Sequence, residues 1–148
     1  MRRTKRLLTF GCALVLALPL LTPGAEAGRF SMSYVYFGSP SAYIQRVDDT
    51  RGSLDEISPN YFNLNAGGSL NFTGGSDARS FVEEMHCRGV RVVPFLSNHW
   101  DRELGRRALE NREQLSGQIA QTVKAYGLDG VNVDIENVTH QDRNAYSE

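Results

Sequence analysis

In the stretch DGVNVDIENV, Asn132, Asp134 and Glu136 stand at every second position, with Val131, Val133 and Ile135 between them. Successive side chains of an extended strand point to opposite faces, so this spacing gathers the three polar groups on one face and the three β-branched residues on the other. Two carboxylates sharing one face are the residue types of general acid–base chemistry. Burying such a face is costly unless its groups hydrogen-bond one another or a ligand, so a site is the better explanation of the pattern than a chance polar strand.

The elements that must position this strand follow from the pattern upstream. SMSYVYFG, residues 31–38, is a short aromatic-rich strand stopped by Gly38, Ser39 and Pro40. A second strand lies in ISPNYFNLNAGG, closed by Gly67 and Gly68, and SLNFTGGSD after it is a loop. Residues 77–88 form a helix with Phe81, Val82 and Met85 on one side, Ser76 or Asp77 as cap and Gly89 as stop. VRVVPFL is a continuous apolar run, the pattern of a strand buried on both faces. DRELGRRALENRE is charged on most sides and is a solvated connection. A second helix follows over 111–127, with Leu115, Ile119 and Val123 along one face and Gly127 at its end.

Strand, strand, helix, strand, helix, strand is the rhythm of an α/β fold in which helices pack outside a parallel sheet. Both faces of such a sheet are normally covered, so the polar face of 131–136 points to an interior. In a closed (β/α)₈ barrel that interior lies within the barrel, and catalytic groups sit at the C-terminal strand ends, where Glu136 stands.

Composition sets the outer limits. The first 27 residues combine a basic start, MRRTKR, an apolar run and the small-residue site AEA, which together read as a cleaved signal peptide and a secreted protein, extracellular or on the cell wall. The 121 residues after Ala27 carry 12 Lys+Arg and 16 Asp+Glu, an acidic balance that argues against nucleic acid or an anionic membrane as partner. Cys87 is their only cysteine, expected buried or half-buried beside a helix end, and no intramolecular disulfide forms. His86, His99 and His140 have no metal-ligand spacing, so neither metal nor cofactor is expected.

LDGVNVDIE resembles the fourth-strand signature of glycoside hydrolase family 18, the chitinase-like (β/α)₈ barrels, which reads D-G-x-D-x-D-x-E. The match is at Asp129, Gly130, Asp134 and Glu136, with Asn132 in place of the middle aspartate. ISPNYFNLNAGGSL and VPFLSNHWD look like strands two and three of the bacterial branch that includes spore-cortex and cell-wall hydrolases. The resemblance implies that Glu136 is the general acid and later the base, and that the substrate's own N-acetyl oxygen is the nucleophile. It implies that Asp134 orients the acetamide, that Asn132 hydrogen-bonds Asp134, and that Asp129 supports the strand start. The substrate implied is a β-1,4-linked N-acetylglucosamine polymer, peptidoglycan ahead of chitin, acted on by a monomer.

The other candidates have two readings each. Tyr36, Ser97 and Trp100 are the substrate-binding candidates; core packing is the alternative for Tyr34 and Tyr36, and loop packing for Trp100. A barrel that binds glycan without cleaving it is the alternative function, against which the presence of Glu136 argues. A (β/α)₈ domain needs about 250 residues, and this chain provides about four of the eight βα units. It therefore reads as the N-terminal part of a catalytic domain, 28–148, which alone is expected to aggregate or stay molten, and an inactive truncated product is the third reading.

Overall fold

A computed structural model describes residues 29–148; the signal-peptide reading of residues 1–27 lies outside the described residues. Four strand paths and their helices follow one another. β1 (Met32–Val35) leads to α1 (Pro40–Asp49). The second path is β2 (Glu56–Pro59) continued by β3 (Phe62–Leu64), with β4 (Leu70–Phe72) folded back on it. After α2 (Ala78–Cys87), the third path is β5 (Arg91–Val92) continued by β6 (Phe95–Ser97). α3 (Arg102–Glu110) and α4 (Arg112–Tyr126) then lead to β7 (Asn132–Asp134), a 3₁₀ turn at His140–Asp142 and α5 (Arg143–Ser147).

The strands order as β1-β2-β5 and β4-β3-β6-β7, parallel throughout except for the β3–β4 hairpin. The expected parallel α/β arrangement is present, and a closed barrel is not formed by the described residues. The sheet is nevertheless curved. β1 and β7 are separated by two strand paths, about 14 Å if flat, yet Nδ2 of Asn132 on β7 donates to the Tyr34 hydroxyl on β1 at 2.8 Å. Only a curled sheet lets those two side chains touch.

The core lies on the convex side, between strands and helices. Ile57, Phe62, Val92 and Leu96 from the strands are buried against Phe81, Val82 and Met85 of α2 and Ala108 of α3. α2 spans ten of the twelve residues expected, and Gly89 follows it with φ 73. α4 runs as expected to a left-handed Gly127 cap, with Leu115 buried and Ile119 and Val123 packed against the core. Cys87, expected at least half-buried, is exposed, because it lies on the side of α2 away from Phe81 and Met85.

Several expectations are corrected. VRVVPFL is not one continuous strand: Pro94 has no N–H for the ladder and splits it into β5 and β6. SLNFTGGSD is not all loop, since Leu70–Phe72 pairs antiparallel with β3. DRELGRRALENRE contains α3, whose Asp101 side chain accepts from the Leu104 N–H at 3.1 Å and which buries Gly105, Ala108 and Leu109. Ser39 and Pro40 stop β1 but also start α1: the Ser39 hydroxyl accepts from Ala42 N–H at 3.3 Å, and proline sits in the first turn.

Candidate active site

β7 pairs in parallel with β6, placing Asn132 beside Phe95 and Asp134 beside Ser97. Residues level with one another in a ladder point to the same side, so Phe95, Ser97, Asn132 and Asp134 share the concave face. Tyr34 and Tyr36, two apart on β1 and its extension, join them. Tyr34 packs edge-on against Phe95 with ring centroids 5.3 Å apart, and Tyr36 stacks on the same ring at 6.0 Å. Both tyrosines are exposed on this face among the described residues.

The ladder of β7 ends at Asp134, sooner than the Val131–Glu136 strand expected. Ile135 is buried and Val131 packs on the core, whereas Val133 is 48% exposed because β7 lies at the sheet edge. The expected Asn132–Asp134 hydrogen bond is replaced by the one to Tyr34. Side chains two apart on one strand sit roughly 7 Å from each other, too far for a short amide, while the long tyrosine crosses the curved face.

Glu136 stands just past the C-terminal end of β7 with an exposed side chain. Its backbone is gripped by Asn98: the Glu136 N–H donates to Asn98 Oδ1 at 2.8 Å, and Asn98 Nδ2 donates to the Glu136 carbonyl at 2.9 Å. Asn98 Nδ2 also donates to the carbonyl of Asp101 at 2.8 Å, and the residue is 0% exposed. Sequence reasoning placed Asn98 with Ser97, His99 and Trp100 at the end of the third strand but missed its hold on Glu136; a polar residue two positions after the apolar run VVPFL was the available signal.

Around Glu136 the backbone is held in unusual conformations. His99, Trp100 and Asn137 have φ of 49°, 66° and 58°, a region sparsely used by non-glycine residues and concentrated at functional sites. Hydrogen bonds lock these turns together. Asn137 Nδ2 donates to the Trp100 carbonyl at 2.9 Å, and Arg102 donates to the Asn137 carbonyl at 2.8 Å and to its Oδ1 at 2.9 Å. His99 Nε2 donates to Asn63 Oδ1 at 2.7 Å.

Of the substrate-binding candidates, Trp100 projects from this rim with 63% exposure, so loop packing does not occupy it. Tyr36 is exposed beside Phe37. Ser97 is buried, and its hydroxyl oxygen accepts from His99 N–H at 3.0 Å, shaping the turn below the rim. Asp129 lies at the opposite end of the strand from Glu136. Its Oδ2 accepts from Val92 N–H at 2.7 Å and sits 2.8 Å from His86 Nε2, so it fastens β5 and α2 to the start of the β7 segment.

The chain after Glu136 is also anchored. Thr139 and Asp142 form a reciprocal cap, and Arg106 of α3 reaches Asp142 at 3.1 Å. The Thr139 N–H and hydroxyl, then Arg106, hold the Asp142 carboxyl below the usual carboxylate range. Among the described residues no three His, Cys, Asp or Glu side chains converge as a metal site, and no helix is long and apolar enough to cross a membrane.

The fold has counterparts among solved structures. No protein-family model matches the chain, and no curated protein sequence matches it. The spore cortex-lytic enzyme SleL of Bacillus cereus superposes with a TM-score of 0.67 at 16% identity over 79% of this chain and 29% of that one. The chitinase of Chromobacterium violaceum does so at 0.64 and 17% identity, covering 80% and 39%. The chitinase domain of the spore coat protein CotE from Clostridium difficile gives 0.62 and 16%, covering 88% and 39%. The chain thus spans about a third of the length of these structures, and within that span it has the fold of chitinase-like proteins.

Proposed function

We propose that the protein is a secreted glycoside hydrolase that cleaves β-1,4-linked N-acetylglucosamine glycans, peptidoglycan ahead of chitin, with retention and substrate assistance. The observation that carries this reading is the placing of Asp134 and Glu136 at the C-terminal end of a parallel strand, beneath an exposed aromatic rim. The likeness of the fold to a cortex-lytic enzyme and to chitinases supports it, as does the D-G-x-N-x-D-x-E run.

In the proposed reaction Glu136 donates its proton to the glycosidic oxygen as the bond to the anomeric carbon breaks. The substrate's acetamide oxygen attacks that carbon from the opposite face, giving a cyclic oxazolinium ion, and the alcohol leaves. Asp134 accepts a hydrogen bond from the acetamide N–H, which aims the oxygen and offsets the positive charge. Glu136, now a carboxylate, takes a proton from water as that water opens the ring, so the configuration is retained. The second enzyme carboxylate of ordinary retaining glycosidases is not needed as nucleophile. Asn132, tied to Tyr34, keeps the floor of the site neutral beside Asp134. Trp100 and Tyr36 supply flat apolar faces against which pyranose rings stack.

The test is a pair of oligosaccharides, one fully N-acetylated and one deacetylated, followed by proton NMR at the anomeric position. Substrate assistance requires that only the acetylated one be cleaved and that its first product be the β anomer. Cleavage of both at similar rates, or an initial α anomer, rules the mechanism out.

A further inference from the structure

Glu136 lies beyond the ladder of β7, so no neighbouring strand holds its peptide groups. Its exposed side chain belongs to a residue whose hydrogen bonds, among the described residues, run through the backbone. We propose that Asn98 is the positioning residue of the active site, its side-chain amide standing in for the missing strand partner and fixing the direction in which Glu136 projects. The role in catalysis rests on the glycosidase reading above; the grip itself does not.

A primary amide presents one acceptor and two donors, and Asn98 uses all three functions. Oδ1 takes the Glu136 N–H, one Nδ2 hydrogen goes to the Glu136 carbonyl and the other to the Asp101 carbonyl. The first two bonds form a ring that fixes the Glu136 peptide units in both translation and rotation. The third ties that ring to the start of α3, whose first residue, Arg102, holds Asn137 on the far side of Glu136. The Asn98 side chain is fully enclosed, so water does not compete for these bonds.

Gly105 shows how closely the grip is fitted. A Cβ at this position would lie 2.8 Å from Asn98 Nδ2, 3.2 Å from Ile135 Cγ2 and 3.3 Å from Val138 Cγ1. α3 thus has a glycine in its interior, where alanine favours the helix, at the place where any side chain would press on Asn98. Displacing a general acid by about 1 Å is enough to cost on the order of 10²-fold in rate, which gives the positioning role its expected size.

Asn98→Ala and Gly105→Ala are compared with wild type in two measurements, each protein expressed from its complete reading frame. In amide hydrogen exchange by NMR, the Glu136 N–H speeds up by about tenfold or more in both variants, the signature of a lost hydrogen bond. The Asn132 N–H, bonded to the Pro94 carbonyl at 2.9 Å in the same segment, keeps its rate. In hydrolysis of an N-acetylglucosamine oligomer, kcat falls on the order of 10²-fold while KM changes little. Gly105→Ala retains Asn98 and improves helix propensity, so it decides the matter if Asn98→Ala does not fold. Unchanged Glu136 exchange in the folded variants overturns the grip, and faster exchange with unchanged kcat overturns the positioning role. A wild-type protein that hydrolyses nothing overturns the glycosidase reading, and the positioning role in catalysis with it, while exchange still judges the grip.

Discussion

Tyr34 and Asn132 stand 98 positions apart in sequence, and the hydroxyl of one accepts the amide of the other across the concave face of the sheet. This contact joins β1 to β7 across a curled sheet, in which Asp134 and Glu136 open beside the aromatic rim. Tyr34→Phe removes the acceptor while leaving the ring on Phe95. The expected loss is about 0.5–1 kcal/mol, the low end for a hydrogen bond because the tyrosine is half-exposed. Urea titration of the two proteins, each expressed from the complete reading frame, measures it, and an unchanged midpoint argues against the bridge.

Trp100 is the only tryptophan in the chain, which makes its fluorescence a report on the rim. Adding a chitin oligomer should shift or quench the emission as a sugar covers an indole that is now in water. Tyr36→Ala should weaken that titration by roughly 1 kcal/mol, or about fivefold in Kd, if the ring stacks on the sugar as proposed. Emission indifferent to saturating oligomer removes Trp100 from the substrate-binding set.

Gly52 and Gly68 share a φ of 80°, but only Gly68 is crowded. A Cβ at 68 would meet the backbone of Arg107 at 2.5 Å, whereas one at 52 would meet nothing within 4 Å. Gly52→Ala should therefore cost only the left-handed backbone term, about 1–2 kcal/mol. Gly68→Ala should cost clearly more, because α3 has to move away from the β3–β4 turn. Equal losses in thermal melts contradict the close approach of α3.

Acid should loosen the segment that follows Glu136. The carboxyl of Asp142 has its folded value lowered by Thr139 and Arg106. A lowered folded value means that the stabilisation is complete above the unfolded value near 3.9 and is lost as pH falls through the lower folded one. Urea midpoints measured between pH 6 and pH 2 should fall more steeply at the acid end for wild type than for Asp142→Asn. Parallel curves dispose of the Asp142 contribution.

How far the sequence could be read depended on what kind of interaction fixed each element. α2 and α4 were legible because their apolar residues recur at helical spacing and end at Gly89 and Gly127. α3 was hidden because it packs through Gly105, Ala108 and Leu109, a narrow small-residue stripe among arginines that serve as ties to Asn137 and Asp142. α1 was hidden because Ser39 and Pro40 end a strand and begin a helix with the same residues. The alternation around Asp134 announced a polar face. The hold of Asn98 on Glu136 could not be foreseen, since it joins two turns 38 residues apart through one side chain. The Tyr34–Asn132 bridge was equally out of reach, being a product of sheet curvature rather than of any local pattern.

The most direct test of the account is the release of new reducing ends from an N-acetylglucosamine polymer by the protein expressed from its complete reading frame, wild type against Glu136→Gln, with Trp100 fluorescence following binding in both. A general acid supplies about 10²–10⁴-fold, so the glutamine variant should lose at least that lower factor in turnover while binding the glycan as wild type does. Turnover by Glu136→Gln at the wild-type rate would contradict the account.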